Sequence, residues 1–197
     1  RFWESAAKSS PRSARALRLY GQSLYATGRF WEAIPPLERA TRIYPRYDPA
    51  WVDLGIAQMQ SRREKEAEVS LRRALKFNPD SPEGQLSLGV LLVGTGRPEK
   101  GRHHLEKAIA LDPNLVEARF NLGTLYMKAG ENAKAIRHFQ AALSVDPRRE
   151  EVHHNLAIAY MVKGDRARAR GHAREAERLG MRLHPGLAKA LGLEPRP

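Results

Sequence analysis

The chain reads as an all-α fold made by stacking one helical hairpin several times. Three observations predict it. Pro11, Pro45, Pro79, Pro113 and Pro147 fall at intervals of 34 residues. Gly21, Gly55, Gly89 and Gly123 keep the same step, as do Ala40, Ala74, Ala108 and Ala142. Within each interval the apolar residues recur at helical spacing, in two runs separated by a turn. A fixed period with small residues at fixed phases marks a solenoid, in which each unit buries its apolar face only against its neighbours. Such a chain is expected to bind rather than to catalyse.

Taken in order, residues 1–13 have the phase of the second helix of a truncated preceding unit, with Trp3 at its large-aromatic position and Ala6 at its small one. Five units follow at 14–47, 48–81, 82–115, 116–149 and 150–183. The fourth shows the pattern most clearly. Phe120, Leu122, Leu125 and Tyr126 mark a first helix, Gly130 breaks it, and Ala135, Ile136, Phe139, Ala142 and Leu143 mark a second that Asp146-Pro147 ends. Gly28, Gly96, Gly130 and Gly164 share the turn position, where a left-handed backbone costs least for Gly. The second unit has Arg62 there, so a strained or differently shaped turn is expected. Pro35-Pro36 predicts a late or irregular start to the second helix of the first unit. Gly101 stands where the other units have Ala, and reads as a local weakening of its helix. Residues 184–197 hold a short capping helix begun by Pro185, with Leu187 and Leu191 turned inward, and a Pro195-Arg196-Pro197 tail.

Trp51-x2-Leu54-Gly55…Ala67…Leu71…Ala74…Pro79 and Leu122-Gly123-x2-Tyr126…Ala135…Phe139…Ala142…Pro147 resemble tetratricopeptide repeats over residues 14–181. The fifth unit departs, with Ala157 for Gly, Ala173 for the large apolar residue and Met181 for the closing Pro. The resemblance implies a right-handed superhelical solenoid of antiparallel helix pairs whose first helices line a concave groove. It also implies a protein or peptide partner, held as an extended or helical segment.

Carried residue by residue onto this chain, the groove positions include Val52, Ile56, Met59, Leu86, Val90, Phe120, Asn121, Thr124, Met127, His154, Asn155 and Ile158. Most are apolar, and contiguous exposed apolar surface marks interaction sites; the alternative is that a narrow superhelix buries the strip. Asn121 and Asn155 share one phase, and an amide can pair with a peptide backbone without reading its sequence. The alternative is that each bonds only within the stack. The relatives that clamp a chaperone's C-terminal carboxylates use Lys, Asn, Asn, Lys and Arg over three repeats. Here Val52, Asp53 and Glu83 follow Arg15 and Arg18, so that clamp is not expected.

The net charge is +12, with an excess of +6 over residues 1–81, +1 over 82–147 and +5 over 148–197. A basic surface is either solvated or meets an acidic partner. Phe2-Trp3-Glu4…Pro11-Arg12 resembles the junction after the last membrane helix of bacterial glycosyltransferase-like proteins. A membrane-protein appendage, with its basic ends near anionic headgroups, is therefore an alternative reading. The chain opens in mid-pattern without Met, as a piece of a longer protein would. Nucleic-acid binding is disfavoured because no aromatics interleave the basic residues. Metal binding and cofactors are not expected: there is no Cys, and His103-His104 and His153-His154 each point about 100° apart on a helix. No phosphate loop or nucleophile motif appears. Trp31 reads as an outer packing residue.

Overall fold

A computed structural model describes residues 2–10 and 12–193. Pro11 and the 194–197 tail lie outside the described residues, as does the Phe2 side chain. All regular structure among the described residues is α-helical, and the chain divides into two compact units, 1–111 and 112–197.

The first unit holds α1 (Phe2–Ser9), α2 (Ala14–Ala26), α3 (Phe30–Ile43), α4 (Asp48–Gln60), α5 (Glu64–Phe77), α6 (Pro82–Gly94) and α7 (Pro98–Leu111). The second holds α8 (Val116–Lys128), α9 (Asn132–Val145), α10 (Glu150–Val162), α11 (Arg166–Arg178) and α12 (Pro185–Leu191). Helices pair as α2/α3, α4/α5 and α6/α7 in one unit and as α8/α9 and α10/α11 in the other. The Gly phase makes this pairing close. A Cβ at Gly21 would sit 2.6 Å from Leu37, one at Gly55 2.6 Å from Leu71, and one at Gly123 2.6 Å from Phe139.

Every hairpin turns through the same closure. The Arg29, Arg63, Arg97, Glu131 and Asp165 amides donate to Leu24, Gln58, Leu92, Tyr126 and Tyr160 oxygens, the six-to-one bond of a helix C-terminus. This closure needs a left-handed residue, and Gly28, Gly96, Gly130 and Gly164 have φ of 75–80°. Arg62 adopts the same geometry at φ 59°, so the second hairpin keeps its shape and carries the strain.

Three expectations are corrected. Helix α3 begins at Phe30, with Pro35 and Pro36 inside it, so the pair causes neither a late start nor a break. It removes the amides that would bond the Trp31 and Glu32 carbonyls, and both of those residues lie exposed to water. Gly101 is a close approach rather than a flaw: a Cβ there would lie 2.5 Å from Val93 Cγ2 and 2.7 Å from the Gly89 oxygen. In α1, Ala7 rather than Ala6 is buried, packed with Leu17, Ala40 and Ala50, while Trp3 is 38% exposed.

One periodic contact was not foreseen. The side chains of Trp51, Gln85 and Arg119 each donate to the oxygen of the proline six residues earlier, at 2.8 Å, and His153 Nε2 meets Pro147 O at 3.0 Å. Four chemically different side chains thus hold α4, α6, α8 and α10 to their preceding turns. At the C-terminal end Pro185 occupies the first turn of α12, Leu191 is buried, and Arg170 donates to the Leu191 oxygen.

Candidate functional site

In the first unit the first helices touch one another, α2 to α4 and α4 to α6. Their shared face places Ile56, Met59, Leu86 and Val90 partly exposed. Val52 is not available: it is 5% exposed and belongs to the core with Leu71, Leu88 and Leu92, against which Ile56 and Met59 also lean. The apolar strip is therefore a set of half-buried edges backed by core.

Polar groups flank it. Arg18 Nε donates to Asp53 Oδ2 at 2.6 Å, and its guanidinium lies over the Tyr47 ring. Burial pushes the Asp53 carboxyl up from its ordinary pKa, with Arg18 and Gln22 pulling it back. The pair is internally satisfied, which removes Arg18 from any clamp for a free carboxylate. A recess of about 270 Å³ beside it is lined by Gln22, Tyr25, Leu37, Asp53 and Ile56. A larger recess, about 790 Å³, lies between the ends of α4 and α6 and the start of α5.

In the second unit α8 and α10 touch. Phe120 is partly buried with its ring centroid 6.1 Å from that of Phe139. Asn121 Nδ2 donates to the Glu117 oxygen of its own helix at 2.7 Å. Asn155 Nδ2 reaches Thr124 Oγ1 at 3.4 Å, joining α10 to α8. Both amides thus bond within the fold, and each keeps a second N–H and its oxygen for another partner. Met127, His154 and Ile158 are partly buried. His154 Nδ1 is buried without a hydrogen bond, and burial, aided by His184, holds its pKa below the ordinary value.

Several histidines make contacts within the fold. His104 Nδ1 meets Gln85 Oε1 at 2.7 Å, and His153 Nδ1 meets His172 Nδ1 at 3.0 Å. His104, His138 and His172 lie 34 residues apart, a period readable in the sequence. Among the described residues no cluster of ligating side chains could hold a metal ion, and no helix is long and apolar enough to cross a membrane.

Stacked helical hairpins with a Gly-mediated seam define a helical-repeat protein. Two tetratricopeptide-repeat family models match it, one over residues 24–91 and the other over 86–149 and 120–188. The chain belongs to the tetratricopeptide-repeat family, and its all-α repeat solenoid is that family's fold. No curated protein matches it in sequence. Among solved structures it is similar to PilF of Pseudomonas aeruginosa, at 21% identity and TM-score 0.83, over 91% of this chain and 84% of that one. It is similar to YrrB, a TPR protein with an unusual peptide-binding site, at 21% identity and TM-score 0.67, over 98% of each chain. The Cut9–Hcn1 hetero-tetramer of the APC/C gives 20% identity and TM-score 0.87, with 98% of this chain covering 38% of that one. Proteins of this family serve in general as non-catalytic scaffolds that bind protein or peptide partners.

Proposed function

We propose that the chain is a protein-interaction module of five repeats, 14–47, 48–81, 82–115, 116–149 and 150–183. It takes an extended or helical segment of a partner against its first helices. The observation that carries this reading is the row of partly exposed Ile56, Met59, Leu86 and Val90 on touching helices α4 and α6. Covering such a row removes apolar surface from water at about 25 cal/mol per Å². Phe120, Met127 and Ile158 supply the equivalent surface on α8 and α10, and the free amide groups of Asn121 and Asn155 supply backbone partners there. YrrB, a similar structure, is described by its peptide-binding site, which supports the same class of ligand.

The test is selection of displayed random 12-residue peptides on the chain, followed by titration of each binder. Two variants are compared after circular dichroism shows that they fold: Leu86→Glu/Val90→Lys, and Phe120→Ala/Asn121→Ala/Asn155→Ala. The reading expects affinity to fall by about tenfold or more in one of them. Binders indifferent to both variants would place the interaction elsewhere.

A further inference from the structure

The second hairpin does something that the others avoid. Four of the five equivalent turns use Gly at the left-handed position, while this one forces Arg62 to φ 59°. Non-Gly residues held in the left-handed region cluster at active sites and ligand clamps. Arg62 is also part of the wall of the recess of about 790 Å³, beside Met59, Val90 and Leu91. The volume falls within the range of ligand pockets.

The charges around this recess divide unequally. Glu68 is fully engaged: Arg97 donates to both its oxygens at 3.0 and 2.7 Å, and Arg72 adds a contact at 2.8 Å. Arg97, with help from Arg72, holds the Glu68 pKa down to about 2, so its charge is both permanent and neutralised. At the carbonyl ends of α4 and α6 the Ser61, Arg62, Arg63, Thr95, Gly96 and Arg97 amides take up the Ala57, Gln58, Met59, Leu91, Leu92 and Val93 oxygens, leaving the Gln60 and Gly94 oxygens as the remaining backbone acceptors. The Arg62 and Lys65 side chains are exposed and have no ion pair or hydrogen bond among the described residues, and Glu64 is the one unpaired anion among the lining residues. The lining side chains therefore carry more cations than anions, beside the apolar Met59, Val90 and Leu91.

We propose that this recess is a subsite for a partner segment in which an Asp or Glu neighbours a large apolar residue. The apolar side chain enters against Met59, Val90 and Leu91, and the carboxylate pairs with the Arg62 guanidinium. A carboxylate accepts the guanidinium's parallel N–H groups, a geometry that Gly at this turn cannot supply. The inference rests on the reading of the chain as a peptide-binding module.

The test uses the same selected peptides with Arg62→Gly and Arg62→Lys. Arg62→Gly relieves the left-handed strain, so its melting midpoint is expected to rise by about 2–4 °C. Its affinity for the selected peptides is expected to fall by about tenfold. Arg62→Lys keeps the charge but not the paired N–H groups, and is expected to lose part of the binding without the thermal gain. A stabilised protein that binds worse is an outcome that a purely structural role for Arg62 does not produce. Unchanged affinity in Arg62→Gly, or selected peptides without an acidic residue, overturns the proposal. Loss of binding in Leu86→Glu/Val90→Lys but not in Arg62→Gly removes this inference alone. Indifference to every variant removes the underlying reading as well.

Discussion

Replacing Gly101 by Ala tests the packing account against simple helix propensity. In an isolated helix the change would stabilise by about 1 kcal/mol. In α7 the added Cβ would lie 2.5 Å from Val93 Cγ2, 2.7 Å from the Gly89 oxygen and 3.0 Å from the Val93 nitrogen. The Val93 methyl group can move, but the Gly89 oxygen is backbone in the middle of α6, which is pinned by its own helical bonds. The α6/α7 pair must therefore separate. Overpacking of this kind costs about 1–3 kcal/mol, and subtracting the propensity gain leaves a net loss of about 1–2 kcal/mol at the upper part of that range. Urea unfolding followed by circular dichroism reads it as a lower midpoint at unchanged slope. Gly171→Ala is the matched control, because its Cβ meets nothing within 4 Å on the exposed face of α11. It is expected to gain about 0.5–1 kcal/mol. A Gly101→Ala protein as stable as the parent would refute the close-approach argument.

Other consequences can be measured in the same way. Pro35→Ala restores an amide to the Trp31 carbonyl within α3 and is expected to raise the urea midpoint, by as much as about 3 kcal/mol of stability. Trp51→Phe leaves the Pro45 oxygen without its 2.8 Å donor and is expected to cost about 0.5–1.5 kcal/mol by the same assay. Burial, with smaller contributions from neighbouring histidines and, at His104, from Arg72 and Lys107, holds His104, His154 and His172 below their ordinary pKa of 6.5, Glu175 opposing it at His172, so the unfolded chain binds more protons in that range. The stability these residues contribute is complete above 6.5 and is lost as pH falls from there through their lower folded values. Urea midpoints should decline from about pH 7.5 to pH 5, and a His104→Gln/His172→Gln variant should show a shallower decline.

Much of the fold was legible because repetition exposes what each position requires. A Gly that recurs every 34 residues opposite Leu37, Leu71, Leu105 or Phe139 announces a helix seam before any coordinates exist. The turn glycines announce the left-handed closure in the same way, and the exception at Arg62 was visible as an exception. What escaped were features set by a neighbour rather than by the residue itself. Gly101 looks like weak helix until Val93 and the Gly89 oxygen are in place. Val52 looks like groove lining until Leu88 and Leu92 close over it. The Asn121 and Asn155 amides share a phase, yet one turns back to its own helix and the other reaches Thr124, a choice made by local rotamers. The bond to each proline oxygen was hidden because Trp, Gln, Arg and His share no chemistry beyond one N–H donor at the right distance.

The most direct test of binding on the first helices uses the chain's own four methionines. Met59, Met127 and Met161 are partly exposed on α4, α8 and α10, whereas Met181 is partly exposed between α11 and α12. Hydroxyl-radical footprinting with mass spectrometry, with and without a selected peptide at saturation, reads all four in one experiment. The account predicts that Met59, Met127 or Met161 becomes protected while Met181 oxidises unchanged. Protection of Met181 with the other three unaffected would contradict it.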